Sequence, residues 1–298
     1  MTVADPSPAL RRGPILSARS AAGPIGLAIL ALLALACFGA PLIARWSGYD
    51  PLAVDLTNRL AGPSLAHPFG TDDIGRDVAL RVLYGGQVSL AVGIAAALAA
   101  MVIGTVIGLV AGYNGGRIDG VLMRVTDWMI ALPLLPLLIV LSALDPAKLG
   151  LPADLAASAD LSLYRIVAII ALTGWTLVAR LVRGAALSVR TRDYVAAARI
   201  AGAGPLRLMF VHILPNVASP LLVATTLSVG NVILTESVLS FLGLGIQPPT
   251  PSWGNMLSNA QDLITTAPAL AFYPGACIFA TVVACNLVGD WLQRQLRD

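Results

Sequence analysis

Six stretches of the chain hold roughly 20 mostly apolar residues, the length an α-helix needs to cross a bilayer. They run over about 24–44, 86–112, 121–144, 163–182, 217–242 and 268–290. The stretch DYVAAARIAGAGPLRLMFVHILPN, residues 193–216, interrupts this pattern with short Arg-bearing pieces. Asp193 is placed to cap a first short helix, Gly202 and Gly204 to end it, and Pro205 to open a second. Pro215 is expected to close that second piece.

Arginine orients the six runs. The N-terminal tail (Arg11, Arg12, Arg19), the loop with Arg117 and Arg124, the 180–207 region and the C-terminal tail share one side, with 13 of the 19 basic residues. The positive-inside rule then predicts cytoplasmic N and C termini and a cytoplasmic 193–216 stretch. The segment after 242 has no Lys or Arg before Arg294 and is expected outside, so Ser252 and Thr191 should lie on opposite faces. Arg11 to Arg19 followed by ILALLALACFGA also fits the start of a signal peptide. The apolar run of about 20 residues exceeds a usual signal core, so a retained helix is expected.

Composition supports the membrane assignment: 57% of residues are hydrophobic and 12% charged, outside the soluble globular range. The net charge of +3 comes from Arg at the ends of apolar runs, which points to topology and not to nucleic acid. Cys37, Cys277 and Cys285 lie in apolar segments and the only histidines are His67 and His212, so neither a disulfide framework nor a zinc pattern is present. In HPFGTDDIGRD (67–77), Asp72, Asp73 and Asp77 could in principle hold a hard cation, but Thr71 or Asp72 as a helix cap, with Asp77 and Arg81 paired four residues apart, explains the same residues and is the expectation.

Within the apolar runs, Gly104, Gly108 and Gly112 share one helix face and allow close helix packing. Pro133 and Pro136 interrupt the third run, as backbone lining a cavity often does. Glu236 sits about six residues from the outer end of the fifth run. With Asn231 and Pro133 it is a candidate lining of a polar pathway, and a hydrogen-bonded structural role for Glu236 fits as well. Asp127 and Asp290 belong nearer the interface. A single such carboxylate without a His or Lys relay makes a poor proton-coupled carrier, and no G-x-x-x-x-G-K-[ST] loop is present. If ATP drives transport, the ATPase is another polypeptide that needs a docking surface here.

Residues 193–216 resemble the cytoplasmic "EAA" loop of bacterial ABC-importer permeases. Ala197 and Ala198 stand at its alanines, Gly202 at its glycine and Ile213, Leu214 and Pro215 at its end, while Ala196 replaces the usual Glu. HPFGTDDIGRD, RVTDWMIALP (124–133), TGWTLVARLVRG (173–184) and LSFLGLGIQPPTPSWGNML (239–257) narrow the resemblance to the DppC/OppC-type subunits of peptide and nickel importers. The chain stops at Asp298 without the D-P-R extension of many relatives.

The resemblance implies an all-α membrane protein with six transmembrane helices in the type I ABC importer permease fold. The tail, first helix and start of an outer loop occupy 1–60, an extracytoplasmic segment 61–85, the core permease domain 86–292 with its coupling loop at 190–216, and a cytoplasmic tail 293–298. The chain itself is then non-catalytic and binds no cofactor; ATP and Mg belong to partners. Those partners are a second homologous permease subunit, two ATP-binding subunits or a fused ATPase, an extracytoplasmic solute-binding protein, and a peptide substrate. A nickel-chelate or glutathione importer is the alternative, and a secondary transporter or channel the rival of another class. Tyr194, Ala197, Ala198, Gly202, Ala203, Pro205, Leu206, Ile213, Leu214 and Pro215 are the implied ATPase-coupling residues.

Overall fold

The computed structural model describes residues 14–144, 146–150, 152 and 158–296; Arg11, Arg12 and Asp298 lie outside them. The helices are α1 (Pro14–Phe38), α2 (Ala40–Ser47), α3 (Val78–Asn114), α4 (Gly116–Ala131), α5 (Leu134–Ala143), α6 (Ala159–Val189), α7 (Asp193–Ile200), α8 (Pro205–Phe241), α9 (Trp253–Gln261) and α10 (Ala269–Gln295). Among the described residues there is no β-strand, only an isolated bridge between Thr71 and Asp77. Five helices are long and apolar enough to cross a membrane, and α4 with α5 makes a sixth crossing if that bent pair is one span.

The first expected run is divided at Gly39 between α1 and α2, and the second and third also take a different form. The second begins at Val78, eight residues before the apolar run at 86, because the Asp77 carboxylate accepts the Leu80 N–H at 2.7 Å and caps the helix. The third is not one straight span: α4 and α5 meet at 87°. Pro133 forces the preceding Leu132 into an extended conformation (φ −73°, ψ 134°), which ends α4. Pro136 falls in the first turn of α5, where an N–H has no intrahelical partner to lose.

The Gly104, Gly108 and Gly112 face packs α3 against α6. A Cβ on Gly104 would stand 2.6 Å from the Trp175 carbonyl oxygen, on Gly108 2.6 Å from that of Ala179, and on Gly112 2.7 Å from the Ala186 Cβ. Close backbone approach of this kind supplies the dispersion contact that holds helices together where lipid is as apolar as the side chains. Leu109, Val178 and Val182 continue the contact and meet Ile213, Val217 and Leu221 of α8. At the chain's two ends, α1 lies against α10, with the Gly26 position 2.8 Å from the Ala284 carbonyl oxygen.

Candidate functional site

The arginine-rich end carries the 193–216 stretch. Arg192 is the N-cap of α7 and makes no side-chain cap, so Asp193 is not the cap but the first helical residue, where its charge suits the helix dipole. The helix ends as expected: Ala203 N–H donates to Ala198 O and Gly202 N–H to Arg199 O, both 3.0 Å, with Gly202 at φ +88°. That paired closure requires a left-handed residue, and glycine adopts it without strain. Gly204 is the next N-cap and Pro205 opens α8.

Pro215 does not close a second short helix. Residues Pro205–Phe241 form one continuous helix that widens to a π turn at Leu208–Ile213, where Leu214 N–H reaches Met209 O. Pro215 has no N–H and its ring crowds the carbonyl four residues back; a widened turn just ahead relieves both, so the helix passes through.

Val195 and Ile213 are fully buried and anchor the stretch to the bundle. Ala198, Ala203 and Leu214 are half-buried, whereas Tyr194, Ala197, Gly202, Pro205, Leu206 and Pro215 are exposed. Beside them Ile200 is 89% and Leu206 68% exposed, an apolar surface at the arginine-rich end. Arg190 ties it to α3, donating from Nη1 to Gly112 O at 3.1 Å and Tyr113 O at 3.0 Å.

Two neighbouring cavities lie along α6 and α8. The larger, about 480 Å³, has walls from α4, α5, α6 and α8, including Leu132, Leu134, Thr173, Thr176, Asn231 and Thr235. The second, about 390 Å³, shares Leu177, Ser228 and Asn231 with it and continues to Gln293 of α10. Asn231 is exposed and its side chain makes no hydrogen bond among the described residues. Thr173, Ser228 and Thr235 donate their hydroxyls to carbonyls of their own helices, leaving oxygen lone pairs as acceptors. Pro133 itself is not on the wall, but the flanking Leu132 and Leu134 are.

Glu236 lines neither cavity. It is fully buried, accepting Ser240 Oγ–H at 2.7 Å and Ser89 Oγ–H at 3.1 Å. Those hydroxyl oxygens in turn accept Ile246 N–H (3.1 Å) and Trp253 N–H (3.2 Å). One carboxyl therefore joins α3, α8 and the 242–253 connection. Ser252 is also fully buried, in a reciprocal cap with Asn255, so it cannot report which side of the membrane this segment faces.

The 55–77 segment is closed on itself. Asp72 accepts Ile74 and Arg76 N–H and the Arg76 side chain (2.7 Å), and Arg81 approaches it at 3.5 Å. Arg81 thus faces Asp72, not Asp77; Asp77 holds His67 Nδ1 at 2.8 Å while capping α3. Neither Thr71 nor Asp72 caps a helix. Asp55 accepts from the Thr57 hydroxyl and the Asn58 amide, which hold its carboxyl below the usual aspartate range.

Sequence reasoning missed Ser89 and Trp253, whose partners lie far away in the chain, and Ser240, which stands one helical turn from Glu236. It also passed over Thr173, Thr176, Ser228 and Thr235; Ser228, Asn231 and Thr235 recur at three and four residues, a polar stripe visible in the sequence.

Residues 104–298 match the family of binding-protein-dependent transport system inner membrane components. The chain is 38% identical to the oligopeptide transport system permease protein OppC of Bacillus subtilis, over 91% of this chain and 84% of that protein. It is 39% identical to the nickel transport system permease protein NikC of Escherichia coli, over 91% and 92%. Its identity to the dipeptide transport system permease protein DppC of the same organism is 46%, over 79% and 74%. With its apolar helices, these matches make the chain a multi-pass protein of the bacterial cytoplasmic membrane that belongs to the binding-protein-dependent transport inner membrane component family, within its peptide and nickel ABC permeases.

Proposed function

We propose that this chain is the membrane-spanning permease subunit of an ATP-driven importer that moves di- or oligopeptides inward by alternating access. A second permease subunit would complete the pathway. Two ATP-binding subunits, or one fused ATPase, would carry ATP and Mg, and an extracytoplasmic binding protein would deliver the solute. The arginine-rich end is then cytoplasmic, with both termini. Asn231 and its hydroxyl neighbours line the pathway, and amide and hydroxyl groups suit the backbone of a peptide. Glu236 is assigned a bracing role and Pro133 the bend that opens the larger cavity.

The observation that carries the reading is the exposed apolar surface around Tyr194, Ile200 and Leu206, held by the Gly202 turn and tied to α3 through Arg190. It suits the cleft of a soluble ATPase. The test is Gly202→Leu in the whole complex, reconstituted in vesicles. A left-handed leucine costs about 1–2 kcal/mol, enough to weaken the joint roughly 5–30-fold if the turn yields. Uptake and solute-stimulated ATP hydrolysis should fall while membrane insertion persists. Wild-type uptake would leave the stretch a mere connector.

A further inference from the structure

Asp127 on α4 and Arg180 on α6 form an ion pair, Nη2 to Oδ1 2.5 Å, that is unusually open: the two side chains are 53% and 47% exposed. Both lie inside apolar helices, with Trp128 beside Asp127 exposed at the surface. Charges this open are not left against hydrocarbon, so the surface that bears them meets water or protein.

Position narrows the choice. Asp127 is one turn from Ile130, and Arg180 one turn from Thr176 and Leu177; all three line the larger cavity. One further turn along α6, Arg183 pairs with Asp119, its Nη2 donating to Oδ2 at 2.6 Å, and this second pair is more enclosed. The open pair therefore sits one helical turn beyond the lining of the larger cavity, toward the arginine-rich end, with the more enclosed pair one turn further on. Arg180 spends one N–H group on Asp127 and keeps others free, and the Asp127 carboxylate has lone pairs to spare.

We propose that Asp127 and Arg180 form a water-facing station of two charges at the exit of the cavity, which takes solutes carrying a cationic and an anionic group together. An ammonium would be held by Asp127, and a carboxylate would be met by the planar fork of Arg180. The inference rests on the importer reading, because it needs a solute to pass this way, but the charged, wet surface can be measured without transport.

The experiment uses the assembled complex in inside-out vesicles, with single cysteines at Asp127, Arg180, Ile130 and, as a lipid-side control, the exposed Phe279 of α10. Impermeant thiol reagents of either charge are applied without ATP. Asp127→Cys leaves Arg180 alone and should react about fivefold faster with the anionic reagent, the effect of one unit charge a few ångströms away in water. Arg180→Cys should show the opposite preference, and Phe279→Cys should stay silent. Ile130→Cys keeps the pair intact and serves if a charge variant fails to assemble. Glycylglycine should slow labelling at Ile130→Cys, and its N-acetyl amide should not. Cysteines at 127, 180 and 130 as silent as at 279 would show that lipid or a partner subunit covers the pair. Equal protection by both peptides would overturn the two-charge station. Labelling as expected in a complex that shows no ATP-driven uptake would retain the station and reject the importer reading.

Discussion

Replacing Glu236 by alanine removes the acceptor of two buried hydroxyls at once, those of Ser89 and Ser240. Each buried donor left without a partner costs about 1–3 kcal/mol. Both serines lie on helices and can turn toward the carbonyl four residues back, which recovers part of that. The space vacated by the side chain adds a cavity penalty. The net expectation is about 2–4 kcal/mol, against about 1 kcal/mol or less for Glu236→Gln, whose amide keeps one acceptor and can donate to a serine oxygen. Cys37 and Cys285 are buried, so a thiol-reactive fluorogenic dye reports unfolding of the detergent-solubilised protein on heating. At roughly 2–4 °C per kcal/mol, Glu236→Ala should melt about 4–16 °C below wild type and Glu236→Gln within about 4 °C of it. An alanine variant that melts with wild type would refute the brace. A glutamine variant that melts normally yet transports nothing would place the carboxyl on the solute's path instead.

Gly108→Leu should abolish the folded yield: even a Cβ there comes within 2.6 Å of the Ala179 carbonyl oxygen, and neither backbone can withdraw alone. Monodisperse protein at wild-type yield would contradict the packing. The hydrogen bonds that lower the Asp55 carboxyl favour its charged form in the folded state, so their contribution is present at neutral pH and is lost as pH falls through the lowered folded value. The 55–77 segment should become protease-sensitive on strong acidification, and Asp55→Asn should be equally sensitive at neutral pH; resistance of that variant would count against the cap. For sidedness, Thr265→Cys, exposed where Ser252 is not, should label from outside in intact cells and Thr191→Cys only after permeabilisation. The reverse pattern would invert the topology.

The parts of this fold that local composition dictates were legible in the sequence. Apolar runs located the long apolar helices, the four-residue glycine spacing located the α3–α6 contact, and the Gly202 closure followed from glycine's freedom at a helix end. What failed involved a second element. Asp77 and Arg81 stand four apart, yet His67 and Asp72 reach them first because the 55–77 segment folds back over the start of α3. Ser252 looked like a loop residue, but its neighbour Trp253 hydrogen-bonds to Ser89, 164 positions away, and draws the segment inward. Two prolines announced a break in the third run, not an angle of 87°. Of the candidate site, the Gly202–Pro205 turn in the 193–216 stretch was readable from its chemistry, whereas the Asp193 cap and the Pro215 stop were not borne out. The cavity wall was readable only in part, since Asn231 gains its meaning from hydroxyls on a different helix.

The π turn at Leu208–Ile213 has a mechanical corollary. Its five-residue hydrogen bond takes in one residue more than an α-helical turn, and one residue corresponds to about 100° of rotation. The part of α8 ahead of the turn is therefore keyed to the spanning part at a shifted phase, which sets Leu208, Met209 and Ile213 inward while Leu206 and Phe210 point outward. Removing a single residue from this turn would leave every later residue of the span in place, yet swing the outward set toward the bundle. Axial twist of the spanning segment reaches the surface at Leu206 as through a splined shaft, with the offset fixed by one surplus residue.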